Sequence, residues 1–200
     1  MERVRAFSLA RPGSTEGSLQ ERRDHAGGPE LRLQRIAARV TRVRVVEQSA
    51  AGDHQNCAIR FNLRERPIAL EDAARRYDPS FASLVSLEAP AGLPGGAAMV
   101  LDRHSCVFEG RRYAHVVFRY QEHIVSLLVT AGGGLSGATP ALVANDTTLR
   151  VASFDAADHA VFVVSALPDR DTLLFAQALA APVSQRLALG RRSVREGGRA

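Results

Sequence analysis

Two runs, Met99 to Phe108 and Arg111 to Tyr120, constrain this chain more than any other feature, because both are rich in Val, Phe and Tyr and only Glu109-Gly110 separates them. Such residues suit a pleated strand, and a two-residue connection with Gly where φ must be positive is a tight hairpin. With Glu109 and Gly110 as the turn, Phe108 faces Arg111, which sets His104 opposite His115 and Cys106 opposite Tyr113. Alternation along each strand then sends His104, Cys106, Tyr113 and His115 to one face.

Further strands are predicted at Ile124 to Thr130, Leu149 to Phe154 and His159 to Ser165, with a Gly-, Ser- and Thr-containing loop from Gly132 to Asp146. Leu70 to Tyr77 reads as a helix ended by Asp78-Pro79, followed by a helical turn around Phe81 to Leu87. Thr172 to Leu189 reads as an Ala- and Leu-rich helix with a break expected near Pro182. Asp53 is placed to cap a short helix through His54, Cys57 and Ile59, although Ile59, Phe61 and Leu63 also alternate as a strand would. The expected class is α+β: an antiparallel β-meander of about five strands covered by N-terminal helices and a C-terminal helix.

Hydrophobic residues make up 46% of the 200, enough for one core. The expected organisation is a disordered basic segment at 1–30, an amphipathic Arg-rich helix at 31–50 carrying Leu33, Ile36, Val40 and Val43, a single domain at 51–190, and a basic disordered tail at 191–200. Neither a membrane-spanning apolar run nor a signal peptide is evident, so the chain expressed as written reads as soluble and cytoplasmic.

The sequence pI near 10.2 raises nucleic-acid binding, but the charge is misplaced for it. Residues 1–50 hold ten Arg against six acids and residues 191–200 hold four Arg against one Glu, which leaves the remainder at −2 of a total of +5. No recognition helix or aromatic-interleaved basic surface accompanies that charge, and no nucleic-acid partner is expected.

The chemistry-bearing residues are His54, Cys57, His104, Cys106 and His115. Cys57 and Cys106 are the chain's two cysteines, and a spacing of three puts His54 and Cys57 on one side of a helical turn. Three outcomes are open: a Cys57–Cys106 disulfide, a metal or haem site, with His54, Cys57, His104 and Cys106 as a Cys2His2 set for zinc or copper and His115 spare, or two buried thiols and hydrogen-bonded imidazoles filling a core. A Cys106–His115 nucleophile pair lacks an oxyanion-hole signature, a nucleophile turn and an orienting third group, so the chain reads as non-enzymatic.

Asp53-His54-Gln55-Asn56-Cys57, Arg103-His104-Ser105-Cys106, Gly110-Arg111-Arg112-Tyr113-Ala114-His115-Val116-Val117 and Val125-Ser126-Leu127-Leu128-Val129-Thr130 together resemble the extracytoplasmic sensor domain of zinc-finger-type membrane anti-sigma factors, over roughly residues 50–190. The resemblance implies a periplasmic signal-sensing domain that regulates an extracytoplasmic-function sigma factor, with the His/Cys cluster used for metal, haem or thiol-redox sensing. The family's H-x-x-x-C-x-x-C module and membrane helix, expected before the D-H-x-x-C motif, are not in this sequence. Sigma-factor binding and membrane association would belong to a parent protein, and the Arg-rich residues 1–50 read as a truncated or shifted start. The alternative is a stand-alone soluble metal-binding or thiol-redox protein.

Overall fold

The computed structural model describes residues 34, 45–63, 65–134, 136–143 and 148–197. All of these except residue 34 fall in one compact unit, Arg39–Ala200. The segment expected to be disordered, 1–30, lies outside the described residues, as does most of the amphipathic helix expected at 31–50; residues 45–50 are helical.

Helix α1 comprises α-helical residues 45–53 and their π-helical continuation, His54–Ile59. It is followed by α2 (Leu70–Arg76), a 3-10 turn (Pro79–Leu84), strands β1 (Met99–Phe108), β2 (Arg111–Tyr120), β3 (His123–Ala131), β4 (Ala141–Val143), β5 (Arg150–Ala156) and β6 (His159–Ser165), and helix α3 (Asp169–Gly197). The class is α+β, with six antiparallel strands among the described residues in the order β1-β2-β3-β6-β5-β4.

Six strands replace the expected five, and the sheet is not a simple meander. The additional strand, β4, spans only Ala141–Val143 inside the stretch read as loop, too short to show a period. Chain leaving β3 crosses to the far edge before β4 and β5 return, so β3 pairs with β6. Asp155 of β5 anchors this crossing, its carboxylate accepting from the backbone N–H groups of Ser136 (2.9 Å) and Gly137 (2.6 Å).

The β1–β2 hairpin has the expected turn. Glu109 and Gly110 both have positive φ, +50° and +75°, as a two-residue turn matched to strand twist requires. His104 pairs with His115 and Cys106 with Tyr113; the register shifts only between Val100 and Asp102, where Leu101 is left without a partner.

Alternation divides the sheet's side chains between two cores. One face carries Val116, Phe118, Tyr120, Val125, Leu127, Phe154, Val161 and Val163, and is covered by α2, the 3-10 turn and α3. Helix α3 contributes Phe175, Leu179, Val183 and Leu187 at helical spacing. This stripe continues on both sides of Pro182, and α3 runs unbroken to Gly197, through the expected break and into the stretch read as tail.

The opposite face carries Cys106, Tyr113, Leu128, Val151, Phe162 and Val164 beneath α1, which contributes Val46, Ala50, Ala51 and Cys57. Asp53 does not cap a helix start. It lies inside α1 with helical φ and ψ, makes no side-chain cap bond, and is fully buried.

Candidate metal centre

Cys57, His104, Cys106 and His115 each offer a donor atom, and all four donors lie within 4.8 Å of one another, a grouping able to hold a metal ion. The hairpin supplies three of them. His104 and Cys106 are alternate residues of β1, and His115 sits opposite His104 on β2, with imidazole centroids 4.9 Å apart. Cys57 comes from above, on the π-helical turn of α1, and its Sγ lies 2.9 Å from His104 Nε2.

His54 stands outside this group, and His115, expected to be the spare histidine, takes its place. A π turn rotates successive residues by less than an α turn, so a spacing of three no longer aligns two side chains. His54 therefore points toward β3, where its Nδ1 is 2.7 Å from Ser126 Oγ. That same hydroxyl is 2.7 Å from His115 Nε2, so Ser126 links the two imidazoles. A hydroxyl has one proton to give, so Ser126 donates to one ring and accepts from the other.

Burial first, then repulsion from His115, lowers the His54 pKa to about 4 against a smaller opposing effect of Cys57, which makes His54 a neutral ring. Ser126 Oγ thereby joins His54 Nδ1 and His115 Nε2 in one hydrogen-bond relay. The other ring nitrogen of His115, Nδ1, faces Cys106 Sγ at 3.7 Å and Asp53 Oδ2 at 3.4 Å.

His104 is held in a corresponding way. Its Nδ1–H donates to Asp102 Oδ2 at 2.8 Å, directing Nε2 to the cluster. A ring nitrogen committed to a carboxylate or other acceptor fixes the tautomer and orientation of a metal-binding histidine. Asp102 occupies an alternate position of β1 with His104 and Cys106, so the D-x-H-x-C spacing Asp102-Arg103-His104-Ser105-Cys106 carried a signal that sequence reading missed. Ser126 and Asp53 were also missed as partners, because each reaches the cluster only through tertiary contact.

The two thiols are unbridged and differ in character. The hydrogen bond from Cys106 pulls the Cys57 thiol well below its ordinary pKa, joined by those of His104 and His115 against the cost of burial. That hydrogen bond, burial and the Asp53 carboxylate push Cys106 the opposite way. Burial opposes charge on His104, but its contacts with Cys57 and Asp102 outweigh this and raise its pKa. These shifts favour negative charge on the Cys57 sulfur and positive charge on His104, 2.9 Å apart, while Cys106 Sγ lies 3.1 and 3.3 Å from the Asp53 carboxylate oxygens. Burial keeps the Asp53 carboxyl pKa raised despite His115 and Cys106.

Cys57, His104 and Asp102 thus form a thiol–imidazole–carboxylate series on a different pair from Cys106 and His115. Cys57 is only 3% exposed, however, which denies a bulky substrate its sulfur. Among the described residues, no helix is long and apolar enough to cross a membrane. Comparison with protein-family models, curated proteins and solved structures returns no match for this chain.

Proposed function

We propose that this domain is a non-enzymatic sensor whose signal acts on a divalent transition-metal site, with zinc held by Cys57, His104, Cys106 and His115. The observation that carries the reading is the state of the two imidazoles: each turns one nitrogen into the cluster while its other nitrogen is held by Asp102 or Ser126. Two sulfur and two nitrogen donors suit tetrahedral zinc, and copper is the competing ion. Donors this close on several sides leave no plane for a porphyrin, which disfavours haem.

Four protein ligands would close the coordination shell, fitting a structural or sensing ion better than a catalytic one with an open position. The ion would pin α1 to the hairpin. The apolar side chains that α1 buries are small, chiefly Val46, Ala50, Ala51 and Ala58, and each supplies limited stabilisation at about 0.8 kcal/mol per buried CH2. Metal occupancy would therefore strongly influence whether α1 stays docked. In a parent protein of the anti-sigma type, that docking is the change to be transmitted; in a stand-alone protein, the same site stores or reports metal.

The test is metal analysis of freshly purified full-length protein by native mass spectrometry. One zinc per chain, lost in Cys57→Ser and in His115→Ala, supports the reading. A folded protein that takes up neither zinc nor copper refutes it.

A further inference from the structure

We infer that metal and a Cys57–Cys106 disulfide are alternative occupants of one position, so that a small hydroperoxide expels the metal while α1 remains fastened to β1. This rests on the metal reading above and adds its regulation. The chain has two cysteines, both in the cluster, on two different elements, with sulfurs no more than 4.8 Å apart. A tetrahedral dithiolate holds its sulfurs about 3.8 Å apart, and a disulfide holds them about 2.0 Å apart, so exchanging one state for the other moves a sulfur by only a couple of ångströms.

The exchange is stoichiometric. Metal dithiolate, one hydroperoxide and two protons give the disulfide, the free divalent ion, one alcohol and one water. Both sulfurs lose one electron, and the peroxide O–O bond accepts the pair. Two imidazoles alone are a poor site for zinc, so loss of both thiolates releases the ion.

The oxidant must be small. Cys57 and Cys106 are 3% and 1% exposed, too little for in-line attack on the disulfide of a protein partner. A cavity of about 520 Å³ is lined by Asn56 and Val107, the chain neighbours of Cys57 and Cys106, together with Asn62, Leu63, Glu65 and Phe108. This cavity opens beside the residues that flank both cysteines, which sets the short path by which a molecule of peroxide size would approach them.

The experiment uses full-length, zinc-loaded protein titrated anaerobically with hydrogen peroxide. Released zinc is read with a chromogenic chelator, the disulfide by intact mass and thiol count, and α1 docking by hydrogen exchange over residues 45–59. The expected result is one zinc released per disulfide formed, reversed by a dithiol reductant, with α1 equally protected in the zinc and disulfide forms. Cys106→Ser should form no intramolecular crosslink. Zinc retained with both thiols intact, a disulfide formed without zinc loss, sulfinic acid without a disulfide, or unprotected α1 in the disulfide form would each overturn the inference and leave the metal reading standing. Failure to load zinc or copper at the outset overturns both.

Discussion

Cys57 Sγ lies 2.9 Å from His104 Nε2, a contact that joins the π turn of α1 to strand β1 across forty-seven residues of sequence. Its consequence is that one substitution should act on metal affinity and on helix docking together. Cys57→Ser is expected to weaken zinc binding by more than the 10–100-fold typical of losing an orienting partner. It should also raise amide exchange across residues 45–59 while leaving β2, β3 and β6 protected. Chelator competition and hydrogen exchange measure the two effects.

Asp102 provides a gentler test, because its side chain is 63% exposed and its role at the site is to orient His104. Asp102→Asn should cost about 10–100-fold in zinc affinity with little change in thermal stability of the metal-free protein. An affinity equal to that of the unaltered chain would show that this hydrogen bond does not position a ligand.

Stability should depend on pH through His54. Its folded pKa of about 4 lies below the ordinary 6.5, so between these values the unfolded chain binds a proton that the folded chain refuses. Stability is therefore full above pH 6.5 and falls as pH drops toward 4, by up to about 3 kcal/mol. In metal-free protein, His54→Gln should flatten that part of the profile in urea titrations at stepped pH. An unchanged slope would assign the acid sensitivity elsewhere.

The two faces of the sheet should respond separately to core damage. Phe118 is fully buried on the face away from the cluster and meets Phe175 of α3 edge-on, with ring centroids 5.5 Å apart. Phe118→Ala should destabilise the domain by about 3–5 kcal/mol, while the folded fraction keeps its zinc affinity. Denaturant unfolding and zinc titration below the unfolding midpoint check both halves.

The hairpin shows why part of this site was legible. Once Glu109-Gly110 is recognised as a turn, counting outward pairs His104 with His115 and alternation puts Cys106 beside them, so local rules suffice for three donors. Asp102 was within reach of the same rule. The α+β class followed from clear strand periods, whereas β4 and the β3–β6 pairing left no periodic trace because β4 is short and the crossing is long-range.

What the sequence determined by itself was therefore a face: two imidazoles and a thiol projecting from one side of two strands. What only the tertiary structure decided was which groups complete it. The π turn carried Cys57 onto the hairpin and turned His54 away to Ser126, and burial inside α1 made Asp53 a partner of Cys106 instead of a helix cap. Strand pairing is a short-range code, but the placement of a helix over a sheet depends on the packing of both surfaces, which no spacing of residues records.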